Sequence, residues 1–135
     1  MSHIYPDVKL LEKHALIGDG HCVALVQALT DVGPTGGWRA GERVMEVSNI
    51  PAGTVIAAFE NGKYPNRRKG NRAAFYLYSG PGSQKTGRPA YIVVMDQWKI
   101  KGKVAARSIY TKVKSKAQGG IYDDSDNAEM FYVVK

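Results

Sequence analysis

Short runs of β-branched and aromatic residues, each bounded by turn residues, fill the chain from residue 53 onward and constrain its fold more than any other feature. They predict about five strands, at residues 53–59, 73–79, 91–98, 103–112 and 130–134. The connections at 60–63 (Glu-Asn-Gly-Lys) and 79–82 (Ser-Gly-Pro-Gly) have the composition of hairpin turns. We therefore expect an antiparallel sheet.

One segment ahead of these strands has the periodicity of a helix, and it carries the only cysteine of the sequence. Apolar residues follow Cys22 at Leu25, Val26 and Leu29, three, four and seven positions later. The thiol therefore shares a helix face with residues suited to a core, and the helix is expected to run to about residue 30.

The helix is expected to begin at Cys22 because Asp19 and Gly20, just ahead of it, are plausible capping residues. Residues 7–17 are compatible either with a short helix or with an irregular arm. With 135 residues and neither repeat nor linker, residues 1–135 are expected to form a single domain. A helix followed by an antiparallel sheet predicts an α+β fold in which the helix packs on one side of the sheet.

The number of cysteines and the length of the apolar runs indicate which cofactors and which cellular compartment to expect. A single cysteine excludes a disulfide within the chain and a cysteine-rich metal site. No apolar run approaches the roughly 18 residues that span a bilayer, and the first residues lack the charged and apolar blocks of a signal peptide. We expect synthesis in the cytoplasm without a signal peptide, no membrane span, no metal and no other cofactor.

The formal net charge of +7 favours an anionic partner. Nucleic acid, an acidic lipid surface, an acidic protein and an anionic cell-wall polymer all have the required charge. Much of the positive excess lies in residues 63–72 and 99–116, which lack the interleaved aromatic residues of known nucleic-acid modules. Nucleic acid is therefore not the expected partner, although the charge permits it.

Cys22 and Asp96 are the candidates for chemistry. A thiol in the first turn of a helix lies where backbone N–H groups favour an anion, and the thiolate is the nucleophile. The alternative is that Cys22 is a small buried hydrophobic residue. A cysteine nucleophile needs a base and a group that orients the base. Asp96 ends an apolar strand and suits the orienting role, its alternative being an ordinary aspartate of a turn.

The order of four motifs resembles a known enzyme group. These are Gly-His-Cys-Val-Ala-Leu-Val at 20–26, Trp-x-x-Gly at 38–41, Ala-Ala-Phe-Tyr-Leu at 73–77 and Asp-Gln-Trp at 96–98. The order and spacing resemble the compact papain-like peptidoglycan amidases of the CHAP and NlpC/P60 type. The small single-domain type VI secretion amidase effectors are the most similar of them.

The resemblance implies a papain-like α+β fold and an antibacterial effector toxin that cuts amide bonds in the peptide stems of peptidoglycan. Cys22 matches the nucleophile, and its backbone N–H is the expected oxyanion donor. Asp96 matches the orienting acid, and Gln97 and Trp98 match the residues that follow it and line the substrate and oxyanion site. The resemblance also implies a cognate immunity protein as partner, and secretion to act in the periplasm of a target cell.

The catalytic histidine of this group is missing from its expected position. It would open the strand at residues 73–77, where Arg72 stands instead, and the three histidines of the chain are His3, His14 and His21. An arginine side chain stays protonated near neutral pH and cannot accept the thiol proton. The Cys-His-Asp mechanism is therefore expected to be disabled.

Two explanations for Arg72 remain open at the level of sequence. The chain is either a natural pseudoenzyme or an active amidase that a single base change, from a His to an Arg codon, has inactivated. The alternative function is a non-catalytic module that binds peptidoglycan or another polyanion.

Overall fold

One α-helix and a six-stranded antiparallel sheet make up the regular structure of the described residues. The structure, a computed structural model, describes residues 3–65, 72–81, 89–112 and 126–135. The elements are α1 (Cys22–Leu29), β1 (Ala40–Arg43), β2 (Val55–Ala58), β3 (Ala73–Ser79), β4 (Tyr91–Asp96), β5 (Ala105–Tyr110) and β6 (Phe131–Val134). The strand order is β1-β6-β2-β3-β4-β5, with every pair antiparallel. The expected α+β fold is confirmed.

β1 is the strand that the sequence did not predict. Its residues, Ala-Gly-Glu-Arg, have low intrinsic preference for extended structure. It is an outer strand and forms by pairing with β6, where Ala40 lies opposite Val134 and Arg43 opposite Tyr132. The partner strand, far along the chain, decides its conformation.

Several strands are shorter than predicted. β2 begins at Val55 instead of residue 53 because Gly53 has φ +94°, outside the extended region. β4 ends at Asp96 instead of residue 98, and β5 begins at Ala105 instead of residue 103. β5 also ends at Tyr110 instead of residue 112. Residue 82, the last of the turn expected at 79–82, lies outside the described ranges.

The hairpin turn predicted at residues 60–63 is confirmed. The backbone N–H of Glu60 and the carbonyl of Lys63 are 2.9 Å apart, and the reciprocal bond from Lys63 to Glu60 is also 2.9 Å. Asn61 and Gly62 between them have φ values of 52° and 76°. Positive φ at both central residues is the geometry that Asn-Gly favours in a two-residue hairpin.

Both faces of the sheet are covered. α1 packs against β3 with Leu25 and Val26 fully buried, which confirms the apolar face predicted for the helix. Successive β3 residues belong to different clusters, so Phe75 joins the core under α1 and Tyr76 joins the core on the opposite face. Short 3₁₀ segments at Val44–Glu46 and Ala128–Met130 contribute to that second core.

The N-terminal residues combine the two alternatives left open for residues 7–17. A 3₁₀ turn at Val8–Leu11 buries Val8 and Leu11, and an irregular arm follows. Before this turn, Tyr5 donates its N–H to the carbonyl of Gly53 at 2.9 Å, which attaches the chain start beside β2. The arm after the turn is held against the loop that precedes β5, with Ala15 bridged to residue 103.

Candidate active site

Cys22 is the first residue of α1, as predicted, and its thiol is partly buried. His21 is the N-cap residue, in extended conformation, and no side chain caps the helix. The prediction that Asp19 or Gly20 caps α1 is therefore wrong. Asp19 accepts a hydrogen bond from the His21 backbone N–H at 3.0 Å, so it orders the turn ahead of the helix.

The start of β3 lies against the thiol. The backbone N–H of Ala73, the first residue of β3, donates to Cys22 Sγ at 3.5 Å. Ala73 is fully buried and belongs to the core under α1. Because position 72 immediately precedes this N–H, the structure brings the candidate nucleophile and the position expected to hold the base into one site.

Arg72 extends from this position toward the end of β4. Its Nε is 3.8 Å from Asp96 Oδ2, and its Nη1 donates to the carbonyl oxygen of Gln97 at 3.5 Å. The guanidinium carbon lies 4.8 Å from the centre of the Trp98 ring. Nε is buried and has no hydrogen-bond partner among the described residues. The Arg72 side chain thus reaches the end of β4 near Asp96 without satisfying all of its own donors among the described residues.

Asp96 is fully buried at the end of β4 and pairs with cations from the next strand and its preceding loop. Oδ1 accepts a hydrogen bond from Lys101 Nζ at 2.6 Å, and Oδ2 accepts one from Arg107 Nε at 2.9 Å. A buried carboxylate requires such partners, since desolvation of an unpaired charge is costly. We call Arg72, Asp96, Trp98, Lys101 and Arg107 the Asp96 cluster.

All three cations of the Asp96 cluster make cation–π contacts with the Trp98 ring. Lys101 Nζ is 4.6 Å and the guanidinium carbon of Arg107 is 5.4 Å from its ring centre. The negative face of an indole ring attracts cations at such distances. Sequence reasoning missed Lys101 and Arg107 as site residues. Their only signal was membership of the basic run at 99–116, which does not indicate which side chains turn inward.

Gln97 has a fully buried side chain directed at the segment before α1. Its Oε1 accepts from the backbone N–H of Ile17 at 2.8 Å, and its Nε2 donates to the carbonyls of Ile17 and His21 at 2.7 and 2.9 Å. Both amide hydrogens are therefore engaged within the protein. The prediction that Gln97 contacts substrate or an oxyanion has no support in this arrangement and stays a prediction.

The three histidines have partners elsewhere or face solvent. His3 Nδ1 is 2.7 Å from Asp31 Oδ1, and this hydrogen bond and charge hold the pKa of the Asp31 carboxyl below its usual range. His14 Nδ1 lies 2.7 Å from the carbonyl of Ala15, and the side chain of His21 is exposed. None of the described contacts of Cys22 or Asp96 involves a histidine ring.

Two further features of the described ranges concern metal-ligand groups and membrane-spanning helices. They contain no group of three or more His, Cys, Asp or Glu side chains placed to hold a metal ion. No helix in the same ranges is long and apolar enough to cross a membrane.

Comparisons with known proteins cover almost the whole chain. A family model described as domesticated amidase effector 2 matches residues 7–134. A type VI secretion amidase effector 2 protein of Salmonella typhi is 38% identical over 145 residues, with 100% of both chains covered. A solved structure of type 6 secretion amidase effector 2 (Tae2) is 36% identical, has a TM-score of 0.83, and is matched over 98% of this chain and 93% of that one. These similarities confirm the resemblance to small amidase effectors that the sequence motifs indicated.

Proposed function

The chain belongs to the domesticated amidase effector 2 family, and from that membership we propose that it is built to hydrolyse an amide bond in the peptide stems of peptidoglycan, as an antibacterial effector toxin. The observation that supports this most directly is the hydrogen bond from Ala73 N–H to Cys22 Sγ, 3.5 Å long. This bond joins the backbone N–H that follows position 72 to a thiol at a helix start, and Arg72 Nε lies 3.8 Å from the buried Asp96 carboxylate.

In the proposed reaction Cys22 is the nucleophile and the backbone N–H of Cys22 is an oxyanion donor. A histidine at position 72 would take the thiol proton, and Asp96 would orient its ring. The thiolate then attacks the stem-peptide carbonyl, and the carbon–nitrogen bond breaks as the histidine returns the proton to the departing amine. Water, activated by the same base, releases the acyl group from the sulfur. Trp98, which is partly exposed, is proposed to line the substrate side of this site.

Arg72 is proposed to disable this mechanism. Its guanidinium cannot exchange a proton near neutral pH, although its charge can stabilise a thiolate. The buried Nε has no hydrogen-bond partner among the described residues and lies 3.8 Å from Asp96, which is consistent with a site shaped for a different side chain. General acid–base catalysis contributes about 10²- to 10⁴-fold, so we expect activity to be lower by at least that factor.

Digestion of purified peptidoglycan sacculi tests the proposal. The chain is compared with Arg72→His and with the Arg72→His/Cys22→Ala double variant, and released fragments are identified by mass. We expect only Arg72→His to cut, with an increase of about 10²- to 10⁴-fold over the starting chain. The double variant controls for a contaminating hydrolase. The fragment masses identify which amide bond is cut.

The second candidate function is a non-catalytic module that binds peptidoglycan through the same site. The presence of Arg72 and the net charge of +7 favour it, since both suit an anionic wall polymer. If neither the chain nor Arg72→His cuts sacculi while both sediment with them, the amidase proposal fails and the binding module replaces it.

An effector of this kind requires secretion, action in the periplasm of a target cell, and an immunity protein in the producing cell. We propose that the immunity protein is acidic and enters the site cleft, because the basic charge of the chain would accelerate association with it. Co-purification with the product of an adjacent reading frame, weakened by added salt, is the expected result. An adjacent product that neither binds nor protects would count against the effector role.

A further inference from the structure

Gln97 lies one residue after Asp96, but its side chain contacts the segment that precedes Cys22. Its side chain has no exposed surface, and its carboxamide forms three hydrogen bonds of 2.7 to 2.9 Å with backbone groups of Ile17 and His21. With Ile17 it exchanges a donor and an acceptor, which is how two strands pair. The amide therefore takes the place of a peptide group in holding the segment at residues 17–21.

This segment needs an external support. Gly18 and Gly20 have positive φ values of 63° and 87°, so the chain turns sharply twice before the helix. His21, the N-cap residue, provides no side-chain hydrogen bond to α1. The carbonyl of His21 belongs to the peptide bond that joins it to Cys22. The hydrogen bond from Gln97 Nε2 to that carbonyl thus fixes the peptide unit immediately before the thiol.

We propose that Gln97 is a positioning residue that sets Cys22 relative to Asp96 and position 72. The inference rests on the proposed role of Cys22 as nucleophile. Because Asp96 and Gln97 are consecutive, the end of β4 fixes the candidate acid directly and the nucleophile through the carboxamide. The bond from Ala73 N–H to Cys22 Sγ depends on this placement, since a small shift of the helix start would lengthen it beyond 3.5 Å.

The expected consequence concerns the reactivity of the thiol. The Ala73 N–H stays within hydrogen-bond distance of Cys22 Sγ only as long as Cys22 is held beside the start of β3. When Gln97 no longer holds residues 17–21, the thiol should lose this position and react more slowly at neutral pH. This property can be measured without any amidase turnover, in the chain with Arg72 present.

The test is alkylation of Cys22 by iodoacetamide as a function of pH, followed by mass. Gln97→Glu keeps the shape but replaces both N–H donors with a carboxylate facing two carbonyl oxygens. Gln97→Met removes all three hydrogen bonds without adding charge. The matched control is Gln27→Glu, because Gln27 Nε2 also donates to a backbone carbonyl, that of Gly33 at 3.0 Å, from the exposed side of the same helix.

We expect both Gln97 variants to remain folded, to label about tenfold more slowly at neutral pH and to show a changed pH dependence of labelling, whereas Gln27→Glu behaves as the unmodified chain. In the Arg72→His background, kcat should fall about tenfold with little change in KM.

Three outcomes would overturn the inference. Folded Gln97 variants that label at the original rate and with the original pH dependence would show that Gln97 does not set the thiol. Loss of near-ultraviolet circular dichroism in both variants would make Gln97 a general support of the core. An equal effect of Gln27→Glu would show that the response is not specific to this contact. By contrast, slow labelling of Cys22 in the unmodified chain would contradict the nucleophile assignment itself, and with it the proposed function.

Discussion

At the scale of single residues, the Asp96 cluster shows how a buried carboxylate is retained in an apolar strand end. Asp96 has no exposed surface, while Lys101, Arg107 and Arg72 lie within 4 Å of its oxygens. Removing one member of a buried ion pair is strongly destabilising, because the remaining charge loses its compensation without returning to water. The carboxylate therefore supports the fold independently of any catalytic role.

Asp96→Asn should lower the free energy of unfolding by about 3 to 5 kcal/mol, because it leaves the cations of the cluster without their shared counter-charge. Urea denaturation measures the change. Asp126→Asn is the matched control, since Asp126 also pairs with Arg107, at 3.1 Å, but its side chain is 55% exposed. A cost of about 0 to 1 kcal/mol is expected there. Equal costs for the two variants would mean that burial of Asp96 contributes nothing.

The individual site residues were predictable to different degrees. Cys22 and Asp96 could be recognised because each is a polar group in an apolar pattern, and the structure puts Cys22 against Ala73 and Asp96 beside Arg72. Lys101 could not be recognised, since a basic run gives no sign of which cation faces a buried carboxylate. The contacts of Gln97 were equally hidden, because they join backbone groups 76 and 80 residues away in sequence.

At the scale of elements, local sequence predicted the strands with strong β-branched and aromatic content and missed the one without it. β3 has the bounds expected for it, and the helix begins at Cys22 as expected. β1 has no such local preference and takes its conformation from β6, which lies about 90 residues further along the chain. The Gly53 conformation, which shortens β2, likewise depends on the N-terminal segment packed against it.

Gly53→Ala should detach the N-terminal segment from β2. Gly53 has φ +94°, and an added Cβ would lie 2.0 Å from the carbonyl oxygen of Tyr5, so the backbone there must move. Gly62→Ala is the matched control, because Gly62 also has positive φ, +76°, but open space around the position of a Cβ. The control should cost about 1 to 2 kcal/mol from conformation alone.

The Gly53 variant should cost more than the control in urea denaturation. It should also accelerate hydrogen exchange at Val55, whose N–H donates to the carbonyl of His3. Similar unfolding free energies and unchanged exchange at Val55 would show that the Tyr5 contact relaxes without loss.

At the scale of the whole molecule, the sheet separates two hydrophobic cores, one on each of its faces. The net charge of +7 favours association with anionic surfaces in a salt-dependent way. Two exposed carboxylates pair with basic side chains far away in sequence. Asp31 contacts His3, and Glu42 contacts Lys135 at 2.7 Å.

These two pairs predict how stability responds to acid. The hydrogen bond from His3 lowers the pKa of Asp31, and the hydrogen bond from Lys135 lowers that of Glu42. A carboxyl group with a lowered pKa in the folded state stabilises the protein above its usual pKa range. That contribution is lost as the pH falls through the lowered value. Unfolding free energy should therefore decrease below about pH 4.

Urea denaturation at several pH values between about 2 and 6 checks this response, because that interval spans the usual pKa values of carboxyl groups. The double variant His3→Ala/Lys135→Ala should show a shallower decrease, because Asp31 and Glu42 then titrate closer to their unfolded values. The His14→Ala variant removes an imidazole whose Nδ1 lies 2.7 Å from the neighbouring carbonyl of Ala15, and it should follow the original curve. Identical curves for all three chains would assign the acid response to other groups.

The contacts of Cys22 also determine when its environment forms during synthesis of the chain. Its sulfur meets a backbone group 51 residues further along the chain, and the peptide unit before it is held by a side chain 76 residues downstream of His21. During translation, the cysteine therefore emerges from the ribosome long before the surroundings that distinguish it from any other thiol. A growing or partly folded chain therefore carries an ordinary cysteine, and the thiol meets the Ala73 N–H only when β3 has packed against α1.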